Sequence, residues 1–203
     1  MFLTLEGGDA AGKTTQAVAL ERWLTERGRT VVRTREPGGT PLGSAVRDLL
    51  LHGDGPIAPR AEALLYAADR AHHVATVVRP ALARGDVVVQ DRYLDSSVAY
   101  QGAGRVLDPD EVRRLSLWAT EGLLPDLTIV LDVDPVVARA RRSGRAAEDR
   151  LEAEHDDFHA RVRAAFLAMA ADEPGRFVVI DAGRSAEEVA ADVRDAVRPR
   201  LDG

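Results

Sequence analysis

The octapeptide Gly7-Gly8-Asp9-Ala10-Ala11-Gly12-Lys13-Thr14 constrains the fold more tightly than any other stretch of this 203-residue chain. It satisfies G-x-x-x-x-G-K-[ST], follows the apolar run FLTL at 2–5 and opens a helical-period segment over 13–27. A strand feeding such a turn aims backbone N–H groups inward, and with the helix N-terminus they make a nest for phosphate. Lys13 is the only lysine in the chain, where every other residue of the Lys/Arg pair is arginine. A compact ammonium on a flexible stem can follow a phosphoryl group in transfer, a task a planar guanidinium performs differently. Gly7, Gly8, Asp9, Ala10, Ala11, Gly12, Lys13, Thr14 and Thr15 are therefore read as the nucleotide-binding loop, with the Thr14 hydroxyl as a magnesium ligand.

Four further apolar runs follow, TVVRT (30–34), DVVVQ (86–90), LTIVLDV (127–133) and RFVVI (176–180). Their continuous character predicts strands covered on both faces, as in a parallel sheet. Helical segments are expected at 43–52, 58–84, 108–121, 135–142, 150–171 and 185–198. The alternation predicts an α/β, doubly wound fold, a five-stranded parallel sheet flanked by helices, in one domain over 1–203. Ligands of such folds collect at the carboxyl ends of strands.

Composition narrows the partners. With 33 acidic and 27 basic residues the formal charge is -6, which does not suggest a protein that wraps a nucleic acid polymer. There is no cysteine, so thiolate metal sites and thiol nucleophiles are excluded. No apolar stretch approaches the roughly 20 residues of a membrane span, and the N-terminus lacks a charged lead, so a soluble, cytoplasmic protein is expected.

The strand ends carry the remaining chemistry. Asp91 closes the third apolar run, where a carboxylate can support magnesium, and Arg92 beside it can bridge phosphates. After the second run comes Arg35-Glu36-Pro37-Gly38-Gly39-Thr40-Pro41, with Arg47 further on. Guanine-reading GTPases normally carry N-K-x-D, and this chain has no asparagine and no second lysine. A motor ATPase would be larger. A small kinase acting on a small acceptor remains.

These residues, taken together, resemble the bacterial thymidylate kinases over nearly the whole chain. The resemblance rests on the early phosphate-binding loop, T-R-E-P-G-G-T-P followed by Arg47, L-L-Y-A-A-D-R ending at Arg70, D-R-Y-x-x-S-x-x-A-Y-Q-G, and an arginine-rich stretch ending in Asp149-Arg150-Leu151-Glu152. It implies a P-loop nucleoside monophosphate kinase fold with a short mobile lid at about 138–152, ATP and Mg2+ as cofactors, and phosphorylation of dTMP to dTDP in dTTP synthesis. It also implies a homodimer. By position, Tyr66 stacks on the base and Arg70, one turn on, donates to its carbonyl, while Gln101 pairs with the donor and acceptor edge and Ser97 contacts the base or a bridging water. Tyr100 crowds the sugar 2′ position, Asp9 accepts from the 3′-hydroxyl, and Arg47 and Arg92 hold the acceptor phosphate, with Glu36 also in the substrate set.

Arginines stand at 139, 141, 142, 145 and 150, and the loop positions Asp9, Ala10 and Ala11 contain no basic residue, so the resemblance implies the lid-arginine type. Lys13, Asp91, Arg92, Arg142 and Arg145 form the expected catalytic set. Three positions depart from the family pattern. Ala10 replaces a common glycine and is expected not to need positive φ, Tyr66 stands for a usual phenylalanine, and Ser44 replaces a common acid. A kinase for dUMP, UMP or dAMP, and a nucleotide-binding regulator without turnover, are the alternatives that remain open.

Overall fold

In the computed structural model, residues 1–105, 107–142 and 150–201 are described, with backbone alone at Arg142. Strands β1 (Phe2–Glu6), β2 (Val31–Arg35), β3 (Val87–Asp91), β4 (Leu127–Asp132) and β5 (Phe177–Asp181) form one sheet. All of its pairings are parallel, in the order β2-β3-β1-β4-β5. Helices α1 (Lys13–Thr25), α2 (Pro41–His52), α3 (Pro59–His73), α4 (Arg79–Ala83), α5 (Leu94–Ser97), α6 (Pro109–Ala119), α7 (Pro135–Arg142), α8 (Asp156–Asp172) and α9 (Ala186–Leu201) flank it. Wide helical turns at Val74–Val78 and Val98–Gly104 extend α3 into α4 and lengthen α5. No helix among the described residues is long and apolar enough to cross a membrane.

The strand period of two divides the core. Leu3, Leu5, Val87, Val89, Ile129 and Leu131 face α1 and α9 through Leu20, Leu24, Val193 and Val197. Their neighbours turn to the other side, where Phe2 and Val88 meet Val74, Val78, Tyr93 and Leu94, and Val130 meets Phe158, Val162 and Phe166 of α8. Burial on both faces holds for β1, and for β3 and β4 up to their final Asp91 and Asp132, but not for β2 and β5. Those two are the sheet edges, so part of their apolar surface stays open to solvent.

Local chemistry sets several element ends. Thr40 caps α2 by accepting from the Gly43 N–H at 2.9 Å with Pro41 in the first turn, so the helix begins two residues before the expected 43. Asp108 caps α6 in the same manner, 2.8 Å from the Asp110 N–H. The helix expected from 150 begins at Asp156, because residues 150–155 form turns and a bend leading to it. The helical run 94–104 has no counterpart in the sequence reading. Its polar residues Asp95, Ser96, Ser97 and Gln101 are buried, which hides the apolar periodicity that marks a surface helix.

Candidate active site

The carboxyl ends of β1, β2 and β3 open on one cavity of about 500 Å³. Asp9, Ala10 and Gly12 line it from the loop after β1, Lys13, Thr14 and Thr15 from the first turn of α1, and Glu36 and Arg47 from the segment after β2. Tyr66 and Arg70 of α3 and Asp91, Arg92, Ser97, Tyr100 and Gln101 complete it. Gly7 and Gly8 line a smaller neighbouring cleft, and Ala11 is packed in the core. Arg145 lies outside the described residues, as does the side chain of Arg142.

The phosphate-binding loop turns through positive φ at Gly7 (125°), Ala10 (63°) and Gly12 (94°). At Gly7 a side chain would collide with the Leu131 carbonyl, so glycine is required for space as well as torsion. Ala10 corrects the expectation that its position does not need positive φ. The loop bends back there, and alanine bears the left-handed conformation. Lys13 is buried and donates to the carbonyl oxygens of Gly7 (3.1 Å) and Gly8 (2.7 Å). Burial, then the nearby Arg92, pushes its pKa down to about 8 against the pull of Asp91, Asp9 and Glu6. The Thr14 hydroxyl donates to Asp91 at 2.8 Å, bringing two hard oxygen donors together at the mouth of the loop.

Arg92 is the hub. It too has positive φ (66°), and its guanidinium donates to Gly7 O (3.1 Å), Ser96 Oγ (3.0 Å), Asp9 Oδ1 (2.6 Å) and the Tyr100 hydroxyl oxygen (3.0 Å). Tyr100 donates in turn to Asp9 Oδ2 at 2.9 Å. Burial alone would raise the Asp9 pKa, but Arg92, Lys13, the Tyr100 hydroxyl and His159 outweigh it and hold the carboxyl below its ordinary value. Burial pushes the Tyr100 phenol well up despite Arg92, which keeps it a neutral donor.

Glu6, the last residue of β1, lies under this hub. It accepts from the Tyr93 N–H at 2.7 Å and from Ser96 Oγ at 2.5 Å, the same hydroxyl that Arg92 contacts. Burial, then the negative charge of Asp95, pushes its pKa up to about 8. The sequence reading missed Glu6. Its signal was an acid directly after the run FLTL and before the glycine-rich loop.

The side of the cavity formed by α3 and the segment after β2 is equally interlocked. Arg70, 2% exposed, donates to Glu36 Oε2 (2.8 Å), Ser97 Oγ, Ser116 Oγ and Tyr93 O (each 3.2 Å). Four of its five N–H donors are thereby engaged. His73 meets the other Glu36 oxygen at 2.8 Å and Thr34 at 2.7 Å, and neither His73 nor the crowding that makes Gly39 obligatory was foreseen. Arg47 donates to Pro37 O at 3.2 Å. Gln101 Nε2 donates to Glu62 Oε1 at 3.0 Å, so one of its two amide N–H donors is turned to the protein.

Among the described arginines of 138–152, Arg139 pairs with Asp156 and Arg150 with Glu62. Arg141 donates to Ala182 O (2.9 Å) and to the loop carbonyl of Ala10 (3.4 Å), a contact the sequence reading did not single out.

The sequence profile described as thymidylate kinase matches residues 5–193. The chain is 71% identical to the thymidylate kinase of Leifsonia xyli subsp. xyli, covering 100% of this chain and 95% of that one. It is 58% identical to the thymidylate kinase of Bifidobacterium longum (98% and 97% covered) and 54% identical to that of Cutibacterium acnes (100% and 97% covered). With a cavity that joins the glycine-rich loop after β1 to the pocket around Tyr66 and Arg70, and with this likeness along its whole length, the chain belongs to the thymidylate kinase family.

Proposed function

We propose that this protein transfers the γ-phosphoryl group of ATP to the 5′-phosphate of dTMP, giving dTDP and ADP for dTTP synthesis. The observation that carries this reading is the single cavity in which Lys13 and Thr14 stand across from Tyr66, Arg70 and Gln101, with Arg92 between. In-line attack forms a bond from an acceptor phosphate oxygen to the γ-phosphorus as the bond to the β–γ bridging oxygen breaks. The attacking oxygen is already anionic, so no dedicated general base is needed. Lys13 and the loop amides hold the donor phosphates, and Arg47 and Arg92 the acceptor phosphate. Asp9 with Tyr100 receives the sugar, and Tyr66, Arg70, Ser97 and Gln101 the base.

Thr14 and Asp91 are the residues that would hold Mg2+, and their paired oxygens suit a hard cation. When bound, the metal supplies charge neutralisation at the phosphates. Residues 138–152 act as the lid of a single domain, with Arg142 and Arg145 the arginines assigned to transition-state charge. The protein works in the cytoplasm as a homodimer, a reading supported by the apolar surface that Trp118 on α6 leaves open, 79% exposed.

The test is ADP release with Mg-ATP and dTMP, dUMP, UMP, dCMP, dAMP or dGMP offered separately, with Lys13→Ala as the control. Turnover confined mainly to dTMP and lost in the variant is expected. Preference for another acceptor, or none, overturns the reading. Light scattering of the purified chain decides the dimer.

A further inference from the structure

Glu62 lies one turn before Tyr66 on α3, its side chain 1% exposed. Three side chains from distant parts of the chain converge on its carboxylate. Gln101 Nε2 donates to Oε1 at 3.0 Å, and Arg150 Nη2 to Oε2 at 2.7 Å. Arg105 reaches one oxygen with Nε and the other with Nη2, each at 3.4 Å. Arg105 also pairs with Glu154, so the whole cluster is tied to the turn that precedes α8.

A carboxylate only accepts, so the Gln101 carboxamide must present its NH2 to Glu62. The opposite rotamer would set an amide oxygen against a negatively charged one, with both buried. Two guanidiniums hold the carboxylate still, and a planar amide fixed at its nitrogen is fixed at its oxygen. Gln101 lines the acceptor cavity beside Tyr66 and Arg70, and among the described residues no donor reaches its Oε1.

We infer that Glu62 is a positioning residue that determines which end of the Gln101 carboxamide reads the acceptor base. The inference rests on the dTMP reading and deepens it. With one of its two amide N–H groups spent on Glu62 and the amide plane held there, Gln101 keeps its Oε1 as the end offered to the base. An acceptor matches a pyrimidine whose N3 carries hydrogen, as in thymine, and opposes one whose N3 is a bare lone pair, as in cytosine. Selection here works by rejection as much as by attraction.

Glu62→Gln, made in the full chain, is nearly isosteric and can show either amide end to Gln101, which releases the lock. The expected result is a KM for dTMP raised roughly tenfold with kcat within about twofold, and a roughly tenfold loss in the dTMP-over-dCMP ratio of kcat/KM. In a Gln101→Leu background the same change should move the dTMP KM less than about twofold, because Glu62 acts through Gln101. A merely structural role would weaken both acceptors alike and add to the Gln101 change, and either result overturns the inference. Independently of turnover, the Gln101 side-chain NH2 of the free wild-type protein should be one resolved, exchange-protected pair by 15N NMR. Rapid exchange there overturns the inference even if Glu62→Gln does not fold. Wild-type protein that fails to phosphorylate dTMP would sink the functional reading instead, leaving the amide measurement to judge Glu62.

Discussion

Arg92 donates to Asp9 at 2.6 Å across 83 residues of sequence, and the pair links the phosphate-binding loop to the segment after β3. Both side chains belong to the proposed acceptor site, and each holds the other in place.

Replacing Asp9 with asparagine keeps the shape and removes the charge that orients Arg92. A charge-assisted bond of this kind contributes about 1.5–3 kcal/mol, so kcat/KM for dTMP should fall about 10- to 100-fold in initial-rate assays. Unchanged kinetics would show that the pair has no part in acceptor binding.

The Lys13 pKa of about 8 makes nucleotide binding proton-linked. Near pH 8.5 the free protein carries this ammonium only in part, and bound phosphates favour the charged form. ATP binding should therefore take up protons between about pH 8 and 9.5, read as buffer-dependent heat in titration calorimetry. Because Glu6 titrates in the same range, the measurement belongs in the Glu6→Gln variant, where the uptake should persist. Heats independent of the buffer would refute the assignment.

Glu6 has a folded pKa raised from an ordinary 4.5 to about 8, so between these values the unfolded chain has released a proton that the folded one retains. This group's contribution to stability is present in full below pH 4.5 and is lost as pH rises to about 8. Glu6→Gln, which can still accept from the Tyr93 N–H, should flatten that decline and stabilise the protein at pH 8 by on the order of a few kcal/mol. Urea unfolding at several pH values checks it, and parallel curves for the two proteins would count against a buried, protonated Glu6.

Ala10 at φ 63° bears a conformation that costs an L-residue roughly 1–2 kcal/mol. Glycine removes that cost but gives the unfolded chain more freedom. The net expectation for Ala10→Gly is a gain of about 0.5–1 kcal/mol in denaturant unfolding. A loss would mean the loop relaxes away from this torsion.

Much of the site was legible because its chemistry is local. The phosphate-binding loop needs glycine, lysine and threonine at fixed spacing, and Tyr66 and Arg70 are one helical turn apart. The residues behind them were not legible. Glu36 and His73 lie 37 positions apart and Gln101 and Glu62 39, and nothing in one-dimensional spacing announces that a carboxylate far along the chain will fix a guanidinium or an amide. Arg70 shows the consequence, since a solvated charge would be exposed, whereas the fold buries it and engages four of its donors.

The parallel α/β sheet, the glycine-rich loop after β1 and most of the cavity-lining residues were readable from the sequence, since apolar period, glycine placement and motif spacing act over a few residues at a time. Tertiary packing set which strands became edges, that Ala10 turns through positive φ, and that the Gln101 amide nitrogen meets Glu62. Those outcomes depend on which groups meet once the chain has closed, and a buried polar group takes its orientation from the partner that satisfies it.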